Sequence, residues 1–213
     1  MIVYVETNFI LEIVFEQDGY VSATKILELS ESNKIELAFP GFSVGESLSK
    51  VTRQGRDRGE LYKSLVQPLQ QLKRSISYRP IIVDLEPVLA LFQDATKRES
   101  DRLLSVLERI LKVGRLLELD ISSFSHALTY KNQLSTEDSI VYGTIISDLK
   151  RRPHDETKLF ISRDEKAFGE DRNKKKDPSY ERIKTELDSY NCTYIKKFED
   201  GLHFIEAELR KAE

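Results

Sequence analysis

The stretch MIVYVETN, Met1–Asn8, is the starting point for the fold class. It contains a short apolar run, Ile2–Val5, which predicts a buried strand and leads directly into an acid, Glu6. Similar short apolar runs recur along the chain and predict further strands: Ile35–Phe39, Leu116–Leu119, Lys158–Ser162 and Thr193–Lys197. Longer segments with apolar residues at helical spacing lie between them: Ala23–Leu29, Ile140–Leu149 and Tyr180–Leu187. This alternation predicts an α/β fold with a central parallel sheet and helical crossovers.

Residues 53–115 depart from the alternation and predict a helical insertion within a single domain of residues 1–213. Their leucines and isoleucines recur at three- and four-residue steps over the whole stretch. Pro68 predicts a kink, Pro80 a break, and Gly114 the end of the last helix. The apolar faces of these helices have three interpretations: they extend the core, cap a cleft or form the face of a homodimer.

The composition favours a cytoplasmic protein with no membrane segment. The 213 residues include a single cysteine, Cys192, which excludes an intrachain disulfide framework. No leader-like segment precedes Ile2, and no apolar run is long enough to span a bilayer. Because the net charge is −3, binding of nucleic acid would depend on local basic patches.

Four acids, Glu6, Glu46, Asp138 and Asp164, lie where strands are predicted to end or helices to begin. Ligands of parallel α/β sheets bind beyond the carboxyl ends of the strands, where the strand order reverses. If the fold brings these acids together, their oxygens would form a divalent-metal site suited to phosphodiester hydrolysis.

Each acid except Glu6 also has a purely structural interpretation. Ser43 with Glu46, and Ser135 with Asp138, match the helix capping box, and Asp164 could cap a short helix. For either box alone, capping is the more common reason for the pattern. Glu6 differs, because an acid that ends an apolar strand is costly to bury unless it is paired or bound to a metal.

The four acids with their flanking residues resemble the PIN-domain family of metal-dependent nucleases. The matching segments, in order, are Ile2–Leu11, Phe39–Glu46, Leu134–Ile146 and Ile161–Phe168. The main departure is Glu6, at the position where the family usually has Asp. The resemblance implies a three-layer α/β/α PIN-like fold and a Mg²⁺- or Mn²⁺-dependent endoribonuclease that cleaves single-stranded or looped RNA.

The resemblance also implies roles for individual residues. Glu6, Glu46, Asp138 and Asp164 would be catalytic, with Glu6, Asp138 and Asp164 as the metal ligands and Glu137 as an alternative ligand to Asp138. Asn8 and Ser162 would hold the carboxylates by hydrogen bonds. Mutual repulsion should raise the pKa of at least one acid in the metal-free protein. A toxin-type role, with an antitoxin or another protein as partner, is consistent with the family.

Two basic clusters are the candidates for contacts with the substrate backbone: Arg151 with Arg152, and Lys174, Lys175 and Lys176. Solvated loop surface explains such runs equally well. Arg163 could contact substrate or pair with an acid, and Tyr142 is more typical of a core residue than of a base-stacking one. Two other functions stay open: a non-catalytic RNA-binding or scaffold module, and a structure-specific DNA nuclease.

Overall fold

The computed structural model describes residues 1–168 and 178–212, which form five strands and eight helices. In chain order the elements are β1 (Ile2–Val5), α1 (Thr7–Val14), α2 (Tyr20–Glu31), β2 (Glu36–Pro40), α3 (Gly41–Leu72), α4 (Arg79–Val113), β3 (Arg115–Leu117), α5 (Ile121–Tyr130), α6 (Thr136–Leu149), β4 (Lys158–Ile161), α7 (Pro178–Ser189), β5 (Cys192–Ile195) and α8 (Phe198–Ala212). None of the helices described combines the length and the apolar character needed to cross a membrane.

All five strands are parallel and lie in the order β3-β2-β1-β4-β5. The chain builds β2 and β3 on one side of β1, then returns to build β4 and β5 on the other side. The strand order therefore reverses between β1 and β4, where Ile2 pairs with Lys158 and Val5 with Ile161. The predicted α/β class with a central parallel sheet is confirmed.

Helices cover both faces of the sheet. Successive residues of a strand point to opposite faces, so each strand contributes side chains to both layers of helices. One face places Tyr4 and Phe160 in a core with Ile145 of α6 and Leu187 of α7. On the other face α8 packs on β4 and β5 and also contacts α2, which in turn contacts α1. The two buried faces explain why β1 and β4 consist almost wholly of buried residues.

Helices α5 and α6 approach each other closely at Gly143. A Cβ atom built on Gly143 would lie 2.5 Å from the Ser123 carbonyl oxygen and 2.7 Å from the Ala127 amide nitrogen, both in α5. Only glycine fits such an approach without displacing the backbone. This contact holds α6, which carries Asp138 in its first turn, tightly against α5.

The chain divides into two compact units. The sheet unit consists of Met1–Glu46 and Val106–Glu213, and the helical unit consists of Ser47–Ser105. Within the helical unit, Arg58 Nη1 donates to Glu99 Oε2 at 2.5 Å, and a Cβ on Gly55 would meet Thr96. These residues belong to the middle parts of α3 and α4, which therefore lie side by side.

The predicted insertion at 53–115 corresponds to most of α3 and α4, with differences at the prolines. Pro68 lies inside α3, and Pro80 is the second residue of α4, where a proline needs no amide hydrogen bond. The helical break therefore precedes Pro80, between Leu72 and Arg79. Gly114 directly follows the last residue of α4, as predicted.

Candidate functional site

Glu6 is the buried centre of the site. It directly follows β1 and forms the N-cap of α1, and it is only 6% exposed. Its Oε2 accepts a hydrogen bond from the Asn8 backbone amide at 2.8 Å, and its Oε1 accepts one from Ser162 Oγ at 3.0 Å. Ser162 thus makes the hydrogen bond expected of it, whereas Asn8 contributes its backbone amide to Glu6.

Burial raises the pKa of Glu6 to about 7, from an ordinary value of 4.5. The hydrogen bonds from Asn8 and Ser162 oppose this rise, and the negative charges of Glu46 and Asp164 add to it. The expected raised pKa is confirmed, but its main cause is loss of water contact, and repulsion between carboxylates is secondary. The influence of Glu46 and Asp164 also shows that the fold brings these two acids near Glu6.

Glu46 lies in the first turns of α3, which follows β2. The capping box predicted for Ser43 and Glu46 is wrong, because α3 begins at Gly41 and Ser43 is already inside the helix. No described residue hydrogen-bonds to the buried Ser43 hydroxyl. Glu46 Oε2 instead accepts a hydrogen bond from Thr7 Oγ1, and this links the start of α1 to the start of α3.

Asp164 lies just beyond the end of β4 and organises the turn that follows. Its Oδ1 accepts hydrogen bonds from the amides of Lys166 at 3.1 Å and Ala167 at 2.9 Å, as an N-cap would, but residues 165–168 form a turn and not the short helix that was expected. Its own amide donates to Ser162 Oγ at 3.1 Å. Since the same Ser162 hydroxyl donates to Glu6, it joins the two acids.

Asp138 lies in the first turn of α6 and takes part in the cap that Ser135 forms. The Asp138 amide donates to Ser135 Oγ at 3.1 Å, and that hydroxyl donates to Asp138 Oδ2 at 2.6 Å. Because α6 ends just before the loop that enters β4 at its amino end, its first turn lies toward the carboxyl edge of the sheet. The structure therefore places Asp138 toward the same edge as Glu6, engaged in the cap that the Ser135 motif predicted.

The chemistry of these side chains fits a hard divalent cation, since carboxylate oxygens are the ligands that Mg²⁺ and Mn²⁺ prefer. Glu6 in particular is a buried carboxylate whose ionised form a cation would favour. In the described parts of the chain, however, no three His, Cys, Asp or Glu side chains are disposed to hold one metal ion together. Ligation by Glu6, Asp138 and Asp164 therefore stays a prediction.

Of the two basic clusters chosen from the sequence, the structure describes only Arg151 and Arg152. Arg152 donates to Glu36, the first residue of β2, at 2.9 Å and also pairs with Asp148. Arg151 bonds to Ser147 and pairs with Asp120. Both arginines precede β4 and lie toward the amino edge of the sheet, opposite Glu6, so their contact with substrate stays a prediction. Lys174, Lys175 and Lys176 lie outside the described residues.

A cleft of about 470 Å³ adjoins Asp164, and the sequence did not reveal it. Inside it, Arg163 Nη1 lies 2.6 Å from each carboxylate oxygen of Glu12, a residue that is 1% exposed. Of the two interpretations of Arg163, pairing with an acid is therefore the one observed. The residues that line the cleft are Asn8, Glu12, Gln17, Arg163, Asp164, Glu165, Lys166, Lys196 and Lys197.

Gly19 permits the Glu12 arrangement. Its amide donates to Glu12 Oε1, and a Cβ at this position would lie 2.9 Å from that oxygen and 3.0 Å from the Phe198 ring. Any larger residue would therefore displace Glu12. An acid inside the apolar run FILEIVF, Phe9–Phe15, was the signal available in the sequence, because a buried carboxylate needs a partner.

The chain was compared with protein-family models, curated proteins and solved structures. No family model, curated protein or solved structure matches the chain.

Proposed function

We propose that the protein is a metal-dependent nuclease of the PIN-like type, which hydrolyses phosphodiester bonds at the carboxyl edge of its sheet. One observation carries the proposal: Glu6 is buried where the strand order reverses, with Asp164 beyond the neighbouring strand β4 and Glu46 beyond the other neighbour, β2. All three acids lie beyond the carboxyl ends of adjacent strands, where parallel α/β sheets bind ligands, and Glu6, the buried one, is costly to ionise unless it serves a ligand.

The chain's own residues have distinct tasks in this proposal. Glu6 and Asp164, with Asp138 from the start of α6, would hold the cation, which would polarise the phosphate and activate a water molecule. Ser162 orients Glu6 and Asp164 through one hydroxyl. Thr7 orients Glu46 in the same manner. The hydroxyls of Ser162 and Thr7 thus donate to the carboxylates of Glu6 and Glu46 without neutralising their charge, and Ser162 accepts from the backbone amide of Asp164.

Glu6 also makes the site sensitive to pH. With a pKa of about 7, its carboxyl is protonated in a large fraction of molecules at neutral pH. A cation binds the deprotonated form, so binding must release this proton. Metal affinity and cleavage are therefore expected to rise between pH 6 and 8, where Glu6 loses its proton.

The preference for single-stranded or looped RNA in this proposal comes from the resemblance to PIN domains, as does a toxin-type role. A non-catalytic RNA-binding module is the second candidate. The hydrogen bonds of Asp138, Asp164 and Glu46 within their own chain favour it, because each acid already has a structural task.

The test is cleavage of end-labelled single-stranded RNA and matched DNA, each with Mn²⁺, Mg²⁺ or EDTA. We expect RNA cleavage that requires metal and falls at least 100-fold in Asp164→Asn, a loss typical of removing a group that stabilises charge in the transition state. Asp155→Asn is the matched control, since Asp155 is an exposed aspartate in the loop before β4. Cleavage that survives in Asp164→Asn or in EDTA would contradict the proposal.

A further inference from the structure

The cleft beside Asp164 carries more positive than negative groups. Its lining includes four cations, Arg163, Lys166, Lys196 and Lys197, and three carboxylates, Glu12, Glu165 and Asp164. Glu12 and Arg163 neutralise each other through their short ion pair. The other charged residues of the lining are Lys166, Lys196 and Lys197 and the acids Glu165 and Asp164, of which Asp164 belongs to the proposed metal site.

The cations of the cleft come from two connections that both follow sheet strands at their carboxyl ends. Lys166 lies in the turn after β4 that Asp164 holds through backbone hydrogen bonds. Lys196 and Lys197 lie between the end of β5 and the start of α8. Because β4 and β5 are paired neighbours, these connections emerge side by side, and they form one basic surface next to the acids.

Arg163 is the rigid member of this group. Its guanidinium donates to both carboxylate oxygens of Glu12. The backbone amide of Gly19 donates to Oε1 of the same carboxylate and so fixes Glu12 in place. The arginine side chain is nevertheless 38% exposed, so part of it faces solvent in the cleft. An arginine anchored on one side by a buried carboxylate can still donate hydrogen bonds to an anion on the other side.

We propose that this cleft binds phosphate groups of a single nucleic-acid strand adjacent to the bond that is cleaved. The inference rests on the proposed function in one respect: the bound nucleic-acid strand must continue from the cleft to the acids around Glu6. The side-chain amides of Asn8 and Gln17, which also line the cleft, add uncharged donors for phosphate or sugar oxygens. The cleft volume lies in the range of sites that hold small ligands, enough for a short segment of a strand.

Binding is tested without metal, so that it can be measured apart from catalysis. Fluorescence anisotropy of a labelled single-stranded RNA in EDTA compares the full chain with the triple variant Lys166→Gln, Lys196→Gln, Lys197→Gln. We expect affinity to fall 10- to 100-fold near 100 mM salt, and the salt dependence of log K to lose about two units of slope, as for about three lost phosphate contacts. Each variant is first checked by its melting temperature.

The matched control removes three exposed lysines that do not line the cleft: Lys25→Gln, Lys34→Gln and Lys184→Gln. It carries the same change in net charge, so a general electrostatic effect would weaken both variants equally. Equal losses, an unchanged affinity in the cleft variant, or no RNA binding by the parent protein would each overturn the inference.

The cleavage assay separates this inference from the proposed function. Metal-dependent cleavage by the parent protein together with unchanged RNA binding in the cleft variant would reject the cleft alone. Binding that depends on the three lysines in a protein that cleaves neither RNA nor DNA would reject the nuclease and keep the phosphate site.

Discussion

The two edges of the sheet each hold a buried carboxylate, and they treat it in opposite ways. Glu6, at the carboxyl edge, is 6% exposed and receives hydrogen bonds from Asn8 and Ser162. Asp148, which lies close to the start of β3, is 7% exposed and receives two hydrogen bonds from Arg115 and one from Tyr4. One acid thus has neutral donors and the other has an arginine.

The pKa values follow this difference. Burial raises the pKa of Glu6 to about 7, and the charges of Glu46 and Asp164 add to the rise. Burial alone would also raise the pKa of Asp148, but the hydrogen bonds from Arg115 and Tyr4 outweigh it and hold that pKa below its usual range. At the amino edge an arginine thus stabilises the ionised carboxylate, whereas at the carboxyl edge burial without a hydrogen bond from a cationic side chain favours the protonated form of Glu6.

The largest expected effect is the loss of the bidentate partner of Asp148. Arg115→Met would leave buried Asp148 with only Tyr4 and the longer contact with Arg152, and we expect the free energy of unfolding to fall by about 3 kcal/mol. Urea denaturation at pH 7 measures it. Arg109→Met is the control, because Arg109 makes a similar bidentate pair with Glu31 in a more exposed place, where about 1 kcal/mol or less is expected. Equal losses would erase the contrast between buried and surface pairs.

Removal of the charge from each acid should have opposite effects that depend on pH. The folded-state pKa of Glu6 is raised, so its ionisation destabilises the fold as pH rises from about 4.5 through 7. Glu6→Gln should therefore add up to about 3 kcal/mol of stability at pH 8 and little at pH 4. The pKa of Asp148 is lowered, so Asp148→Asn should destabilise above the unfolded pKa and lose this effect as pH falls.

Unfolding free energies from pH 4 to 8 for both variants test this opposition. If the change in unfolding free energy followed the same trend with pH in Glu6→Gln and Asp148→Asn, the pKa values of the two acids would not be shifted in opposite directions.

Added metal should act on the carboxyl edge alone. Mn²⁺ at 100 times its dissociation constant would stabilise the fold by about 2.7 kcal/mol, which raises the melting temperature by several degrees. The shift should be larger at pH 8 than at pH 5.5, because Glu6 must lose its proton, and it should shrink in Glu6→Gln. Asp148→Asn serves as the control, and its shift should equal that of the parent. An identical shift in Glu6→Gln would place the metal elsewhere.

The smallest expected effect concerns the length of Glu6. Its two oxygens reach different donors, Asn8 and Ser162, so aspartate should keep the N-cap bond and lose contact with Ser162. We expect Glu6→Asp to cost about 1 kcal/mol of stability, the usual value of one hydrogen bond. A double-mutant cycle with Ser162→Ala checks the reason, because the two losses should not add. Full additivity would mean that the cost of the shorter side chain lies elsewhere.

The strands were the most predictable part of the fold. The apolar runs at Ile2–Val5 and Lys158–Ile161 are buried on both faces, and such strands are recognisable from composition alone. The predicted ends of the strands were less accurate. Strand β2 begins at Glu36, one residue after the predicted start, and β5 begins at Cys192, one residue before its predicted start. Hydrogen bonding to a neighbour sets these ends, and local sequence does not record it.

The site was predictable where a single position carries the information. Glu6 stands out because it ends a buried strand, whereas the capping role of Ser43 failed because α3 begins two residues earlier, at Gly41. The sequence did not indicate that Arg151 and Arg152, which precede β4, lie at its amino end and pair with acids there. The cleft depends on Glu12, Arg163 and Lys196, which are far apart in the chain, so their proximity follows only from the order of the strands.

The pairing of β1 with β4 has a consequence for synthesis. Glu6 leaves the ribosome more than 150 residues before its partner Ser162 and the neighbouring Asp164. A growing chain that stops short of β4 lacks both the strand beside β1 and Asp164, one of the four acids. The proposed site therefore forms only after β4 has been synthesised and has paired with β1.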